Sequence, residues 1–202
     1  MYKKTLLVLV AAATCALAMP SIASATAIPN LPADVDQAYI ADGDGNPESG
    51  TFTLQGTLTV NRSTGLTWGC SYDTTVDFSD DGTTAVTAFS ATGCSTNVPG
   101  CTLTTSATGL SWGDRFGYDT TSGLFRDYIN VATDATLGSG CPFSGTFAQS
   151  GLLSPTIAIS GGVLTATFGP GSGFVTGPLG IETYSGTLTS TSGIGPDTGL
   201  VA

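Results

Sequence analysis

Histidine is absent from this chain, and both of its lysines, Lys3 and Lys4, sit at the extreme N-terminus. Beyond residue 25 the only cations are Arg62, Arg115 and Arg126, set against fifteen Asp and Glu. Ser-His-Asp and Cys-His catalysis need an imidazole and Ser-Lys catalysis needs an amine. Neither group exists past the leader, so these reaction types are excluded there. Three arginines cannot build a basic stripe, and phosphate backbones repel an acidic surface, so nucleic acid is not an expected partner. Anionic membranes are disfavoured on the same ground. Long helical periodicity is missing, as is any apolar run after residue 25 that would span a bilayer.

The first 25 residues have the parts of a secretory signal in order. Lys3 and Lys4 form the charged start, Thr5–Met19 the apolar stretch, and Pro20 breaks its helix. Ala23-Ser24-Ala25 is an A-x-A cleavage site, so the mature chain is expected to begin at Thr26 and to carry about −12 charges against −10 for the whole sequence. The apolar stretch is shorter than the ~20 residues of a transmembrane span. Cys15, between Ala12-Ala13-Thr14 and Ala16-Leu17, is poorly set for lipidation. The expected location is secreted and extracellular, and the short positive start with an alanine-rich core has a bacterial style.

What is present is Thr, Ser and Gly in alternation with apolar residues. In Thr51–Val60, Phe52, Leu54, Leu58 and Val60 share one face while Thr51, Thr53, Gln55, Thr57 and Thr59 share the other. That period of two predicts a half-buried strand, with branched Thr suited to the wet side. Further strands are predicted at Asp73–Ser79, Thr84–Ser90, Cys101–Thr105, Leu124–Val131, Thr156–Ser160, Val163–Phe168 and Ile181–Ser190. Short strands between Gly, Asp, Ser and Pro turns predict an all-β fold, an antiparallel sandwich or barrel. No tight repeat of about 20 residues supports a β-helix. One β domain over residues 51–191 is expected, preceded by an irregular Pro- and Asp-rich segment (26–50) and followed by a flexible tail (192–202).

An internal similarity runs through the first half. Thr57–Gly69 resembles Thr102–Gly113, and Tyr72-Asp73-Thr74-Thr75 recurs as Tyr118-Asp119-Thr120-Thr121. This predicts two related hairpin units packed together. The Asp80-Asp81-Gly82 turn would set Cys70 opposite Cys94, and a turn at Thr120–Gly123 would set Cys101 opposite Cys141, each within one residue of register. Disulfides Cys70–Cys94 and Cys101–Cys141 follow, out of three connectivities, so each unit is a disulfide-closed hairpin. The competitor is Cys94–Cys101. Zinc is disfavoured, since there is no C-x-x-C pair and export favours oxidation.

Few residues offer site chemistry. Asp42, Asp44, Asn46 and Glu48 begin like a calcium loop, but Pro47 stands where its Gly belongs and Thr53 where its bidentate Glu belongs. An irregular calcium site competes there with a solvated turn, and no other cofactor is expected. Trp68 and Trp112, in equivalent Gly-flanked places, are either core anchors or a sugar-stacking platform. Asp73 and Asp119 are the candidate carboxylate pair for hydrolysis, against a plain turn-capping role. Asp197-Thr198-Gly199 has the aspartic-protease triplet but lies in a polar tail without the rigid apolar strand that chemistry needs. Gly195–Gly199 lacks the apolar stretch and basic tail of a sortase substrate. Asn61-Arg62-Ser63 is a sequon, relevant only in a eukaryotic host.

Cys70 in a Thr-rich strand, Phe89-Ser90-Ala91-Thr92-Gly93-Cys94 and Gly109-Leu110-Ser111-Trp112 resemble small exported Thr/Gly-rich proteins of Actinobacteria, with Ser111 where that family often has Pro. The likeness covers about residues 51–150. It implies export and a β fold, and carries over no catalytic residue. The leading expectation is therefore a secreted, non-catalytic β protein with an envelope-associated structural or adhesive role and a cell-surface or glycan partner. The alternative is an extracellular binding module for glycan or calcium, and the third is a carboxylate-dependent hydrolase. Nothing in the sequence sets an oligomeric state.

Overall fold

A computed structural model describes residues 27–178 and 180–202; the leader, Cys15 and the cleavage site lie outside them. The described chain is all-β and antiparallel. Its strands are β1 (Val35–Gln37), β2 (Tyr39–Ala41), β3 (Gly50–Arg62), β4 (Thr67–Phe78), β5 (Thr83–Thr96), β6 (Leu103–Ala107) and β7 (Trp112–Asp119). There follow β8 (Leu124–Leu137), β9 (Gly145–Leu153), β10 (Thr156–Ser160), β11 (Val163–Phe168), β12 (Gly173–Gly177), β13 (Gly180–Ser192) and β14 (Gly199–Val201).

The choice between sandwich and barrel resolves as a barrel. β3 pairs β4, β4 pairs β5, and β5 pairs β7. β7 pairs β8, and β13 returns to pair β3 along nearly its whole length. Between β8 and β13 lie two bent strands. β9 and β10 pair with β8 in one continuous register, from Leu137↔Gly145 to Thr156↔Arg126. β11 and β12 both pair β13, with Gly169–Ser172 bulging between them. The ring thus has eight positions, β3, β4, β5, β6/β7, β8, β9/β10, β11/β12 and β13, running alternately up and down. Eight strands enclose just enough room for side chains or one small ligand.

Alternation sets the two surfaces. Phe52, Leu54, Leu58 and Val60 of β3 and Trp68, Cys70, Tyr72 and Val76 of β4 are buried inside the ring. The intervening Thr, Ser, Gln and Asp residues form the outer wall. A membrane-spanning barrel has the reverse arrangement, and no described helix is long and apolar enough to cross a membrane. Closure between β13 and β3 depends on glycine. A Cβ on Gly56 would meet the Thr187 carbonyl oxygen at 2.2 Å, so no larger residue lets the two backbones come this close.

Three expectations are corrected. The segment 26–50 is not an irregular surface run: it holds β1 and β2 and buries Ala38, Ile40 and Ala41. The tail is tied down as well, since β14 pairs β2 through Gly199↔Ala41 and Val201↔Tyr39. Three-residue strands give no periodicity and exist only through their distant partners, and Ile40 repays the ordering by joining the core at that end of the barrel. The repeat is corrected only in part: the two disulfide-closed hairpins, β4–β5 and β7–β8, both form, but the stretches before them differ. Thr57–Gly69 forms a true hairpin, closed by Gly65 N donating to the Arg62 carbonyl and Arg62 N to that of Leu66. Thr102–Gly113 does not reverse, because β6 and β7 both pair β8 and residues 108–111 are a bulge between them. Similar letters fold differently here because β8 is on hand to take up both halves.

The Cys70–Cys94 and Cys101–Cys141 disulfides are formed. The first joins β4 to β5 across their ladder. The second joins the loop after β5 to the loop after β8. They flank the one weakly zipped part of the ring: past Val86, β5 runs beside β6 with no ladder hydrogen bond between them among the described residues.

Candidate binding cavity

The middle of the barrel is incompletely filled. A cavity of about 60 Å³ lies there, walled by the rings of Trp68, Tyr72, Phe89, Trp112, Phe168 and Tyr184. Phe89 links the rings on one side, 5.7 Å from Tyr72 and 5.2 Å from Trp112, both tilted. Such offsets suit the aromatic quadrupoles. Phe89 on β5 and Thr105 on β6 face the cavity from the two lips of the unzipped seam. Trp112 Nε1 donates to the Thr108 carbonyl at 2.8 Å, fixing its ring to the bulge.

Trp68 and Trp112 are therefore not a platform on an exposed sheet. They are 3% and 2% exposed, because their even-numbered positions point inward on β4 and β7, and they meet as parts of one cavity wall.

Polar groups interrupt that wall. Asp127, Gln149, Thr74, Thr105 and Thr133 all line it. Asp127 Oδ1 and Gln149 Nε2 are buried and have no hydrogen-bond partner. Buried polar atoms are nearly always paired, so each unpaired one calls for an explanation. Asp127 also touches Asp114, which comes from β7 with the Thr84 hydroxyl beside it. Burial pushes the Asp114 carboxyl up, only partly offset by Asp127 and Thr84 beside it. Burial, and then the charge of Asp114, hold Asp127 well above the ordinary carboxylate range. Two carboxyls in contact and out of water oppose each other's ionisation, which adds to the effect of burial.

A second buried polar cluster lies toward the end of the barrel where β3 turns into β4. Arg62 and Glu182 form an ion pair with both side chains out of solvent, and the Arg62 guanidinium stands 4.8 Å over the Trp68 ring. Tyr184 OH donates to Glu182 at 3.4 Å. Burial raises Glu182 to about 7, although the neighbouring guanidinium pulls it down. The opposition is physical: desolvation of a carboxylate can exceed the attraction of its partner. Burial also pushes both Tyr72 and Tyr184 up.

The other sequence candidates resolve as local structure. Asp42 spends its carboxylate on its own turn, accepting from Asp44 N at 3.0 Å, Asn46 N at 2.8 Å and Asn46 Nδ2. These bonds hold its carboxyl below the usual range. Asp44 and Glu48 share an open groove with Asp197, but no group of three His, Cys, Asp or Glu among the described residues converges as a metal would require. The calcium reading of Asp42, Asp44, Asn46 and Glu48 gains no assembled ligand set. Asp73 accepts from Gln55 Nε2 at 2.6 Å, and Asp119 caps a turn through Thr121 N and Ser122 N. The carboxyls that meet are Asp114 and Asp127, which sequence reasoning passed over. Asp114 stood in a stretch read as a corner. The missed signal was an Asp at inward positions of two strands with apolar neighbours.

Fold and cavity define a class: an up-and-down antiparallel barrel with a small, aromatic-walled, partly polar interior. Comparison with protein-family models, curated proteins and solved structures finds no match for this chain.

Proposed function

We propose that this protein is an exported, non-catalytic binding barrel that holds a small, largely apolar molecule in its interior. One observation carries the reading: Asp127 Oδ1 and Gln149 Nε2 are buried without partners at an aromatic-walled cavity. Pockets for small molecules are mostly apolar with a few placed polar groups, and these two atoms suit that role. The cavity of about 60 Å³ holds a ligand of about four to six non-hydrogen atoms, taking about 10–15 Å³ for each water-sized group. At no more than about 1.5 kcal/mol per atom, affinity is submicromolar at best. Carboxylate-dependent glycoside hydrolysis is a poorer fit, because Asp114 and Asp127 are in contact and leave no room for a sugar between them. Two disulfides and the leader support export. The envelope role expected from the sequence rests on the Thr-faced outer wall of β3, and is compatible with binding inside.

The test is native mass spectrometry of protein recovered from the medium, with thermal melts against a panel of small amines, alcohols, ketones and acids. A bound mass, or a melting shift with quenched Trp fluorescence, is expected. No adduct and no shift with any compound up to about 10 mM, orders of magnitude above the affinity that ceiling allows, sinks the reading. Fractionation of medium, envelope and cytoplasm, followed by a glycan array, tests location and the surface role.

A further inference from the structure

The described interior holds two carboxyls with no cation facing them, and that arrangement points to a ligand. Of the buried ionised groups, Arg62 is spent on Glu182. The Asp114–Asp127 pair faces no cation among the described residues. Arg115 follows Asp114 directly, but alternation turns it to the outer face, where it acts on Asp81. Arg126 precedes Asp127 and likewise points away, donating to the Ser154 carbonyl and lying 3.6 Å from Asp119. Asp127 shares its cavity with Thr74 of β4, Thr105 of β6, Thr133 of β8 and Gln149 of β9, and the only other titratable side chains on that wall are Tyr72 and Tyr184. None of these carries positive charge.

We propose that the cavity takes a small organic ammonium ion, with Asp127 as its counter-charge and the surrounding aromatic rings as its walls. This rests on the binding-barrel reading and narrows it to one ligand class. Ring faces attract cations, most strongly when water is excluded. The barrel already uses that attraction once, with Arg62 over Trp68. A carboxylate ligand would meet an acid pair, and a neutral one would leave the pair without a countercharge. The chain's net charge of −10 draws cations toward it.

Binding and ionisation are linked. Burial disfavours the ionised pair, and an ammonium beside Asp127 supplies the countercharge that favours it, so affinity for the ammonium rises with pH.

The experiment compares tert-butylammonium with tert-butanol, which match in shape and heavy-atom count, by calorimetry on the full exported chain. Each titration is run at pH 5 and pH 8. The ammonium is expected to bind at least about tenfold more tightly than the alcohol at pH 8, a difference of about 1.4 kcal/mol. The preference should shrink at pH 5. Asp127→Asn is expected to erase the preference while keeping the alcohol's weak binding. If that variant fails to fold, the pH dependence of the preference on the unaltered protein still decides. Alcohol binding equal to or tighter than ammonium binding at pH 8, or a preference unchanged between pH 5 and pH 8, overturns the ammonium assignment and leaves the binding barrel standing. If neither compound binds up to about 10 mM, both readings fall.

Discussion

Removing the Cys101–Cys141 bridge should do more than lower stability: it should open one side of the barrel. The bridge spans 40 residues, and the chain-entropy relation gives about 4 kcal/mol for a loop of that length. For a domain of this size about 4 kcal/mol corresponds to a fall of roughly 8–16 °C in melting temperature. Cys70–Cys94 closes 24 residues, for which the same relation gives about 3.5 kcal/mol. By entropy alone the two are nearly equal. They differ in what else holds their neighbourhood. Cys70–Cys94 sits inside a ladder, with Gly69↔Ser95 and Ser71↔Thr92 on either side. Cys101–Cys141 ties together two loops beside the seam where β5 and β6 share no ladder. The Cys101→Ser/Cys141→Ser variant should therefore speed amide exchange selectively in β6 and the second half of β5. Cys70→Ala/Cys94→Ala should lower global stability by a similar amount without that local pattern. Urea denaturation followed by Trp fluorescence measures the first quantity, and residue-resolved hydrogen exchange the second. A loss below about 1 kcal/mol for the 101–141 variant, or the same exchange map for both, would refute this reasoning.

Further predictions concern buried charge and close packing. The unfolded Glu182 ionises near 4.5 and the folded one near 7; its folded pKa is raised, so the stability it leaves is full below pH 4.5 and lost as pH rises to about 7. That loss is about 3 kcal/mol, and the raised Asp114 and Asp127 act in the same direction. Urea midpoints should therefore fall between pH 5 and pH 8, and a flat or rising profile refutes the assignment. Arg62→Met leaves Glu182 buried alone and should cost about 3–5 kcal/mol, while Arg62→Met with Glu182→Leu should recover most of it, as read by thermal melts. Gly56→Ala forces a Cβ onto the Thr187 carbonyl and should cost at least about 2 kcal/mol by denaturant titration; a neutral effect would mean the β3–β13 contact is looser than described.

Much of the fold was legible where a local rule had one answer. Thr51–Val60 alternates without fault and makes up most of β3. The Asp81-Gly82 turn places β4 against β5, and with it Cys70 against Cys94. The rest was hidden for particular reasons. β7 begins Trp112-Gly113-Asp114-Arg115, with inward Asp114 and outward Gly113, so its polarity reads backwards. Gly113 is small because the N-terminal segment lies on it: a Cβ there would meet the Ala27 carbonyl oxygen at 2.2 Å. β9 hides the same way, with Gln149 inward and Leu152 outward. The cavity residues come from strands far apart in sequence, and no spacing rule joins Trp68, Trp112, Asp127 and Gln149.

By itself the sequence determined the strand class, the oxidised cysteine framework and the poverty of catalytic side chains, because alternation, turn chemistry and composition act over a few residues. Only the tertiary structure decided that the sheet closes on itself, that both tryptophans turn inward, and that Asp114 rather than Asp73 meets another carboxylate. Those outcomes depend on which distant backbones share hydrogen bonds and on where burial makes a charge expensive, and neither is a property of neighbouring letters.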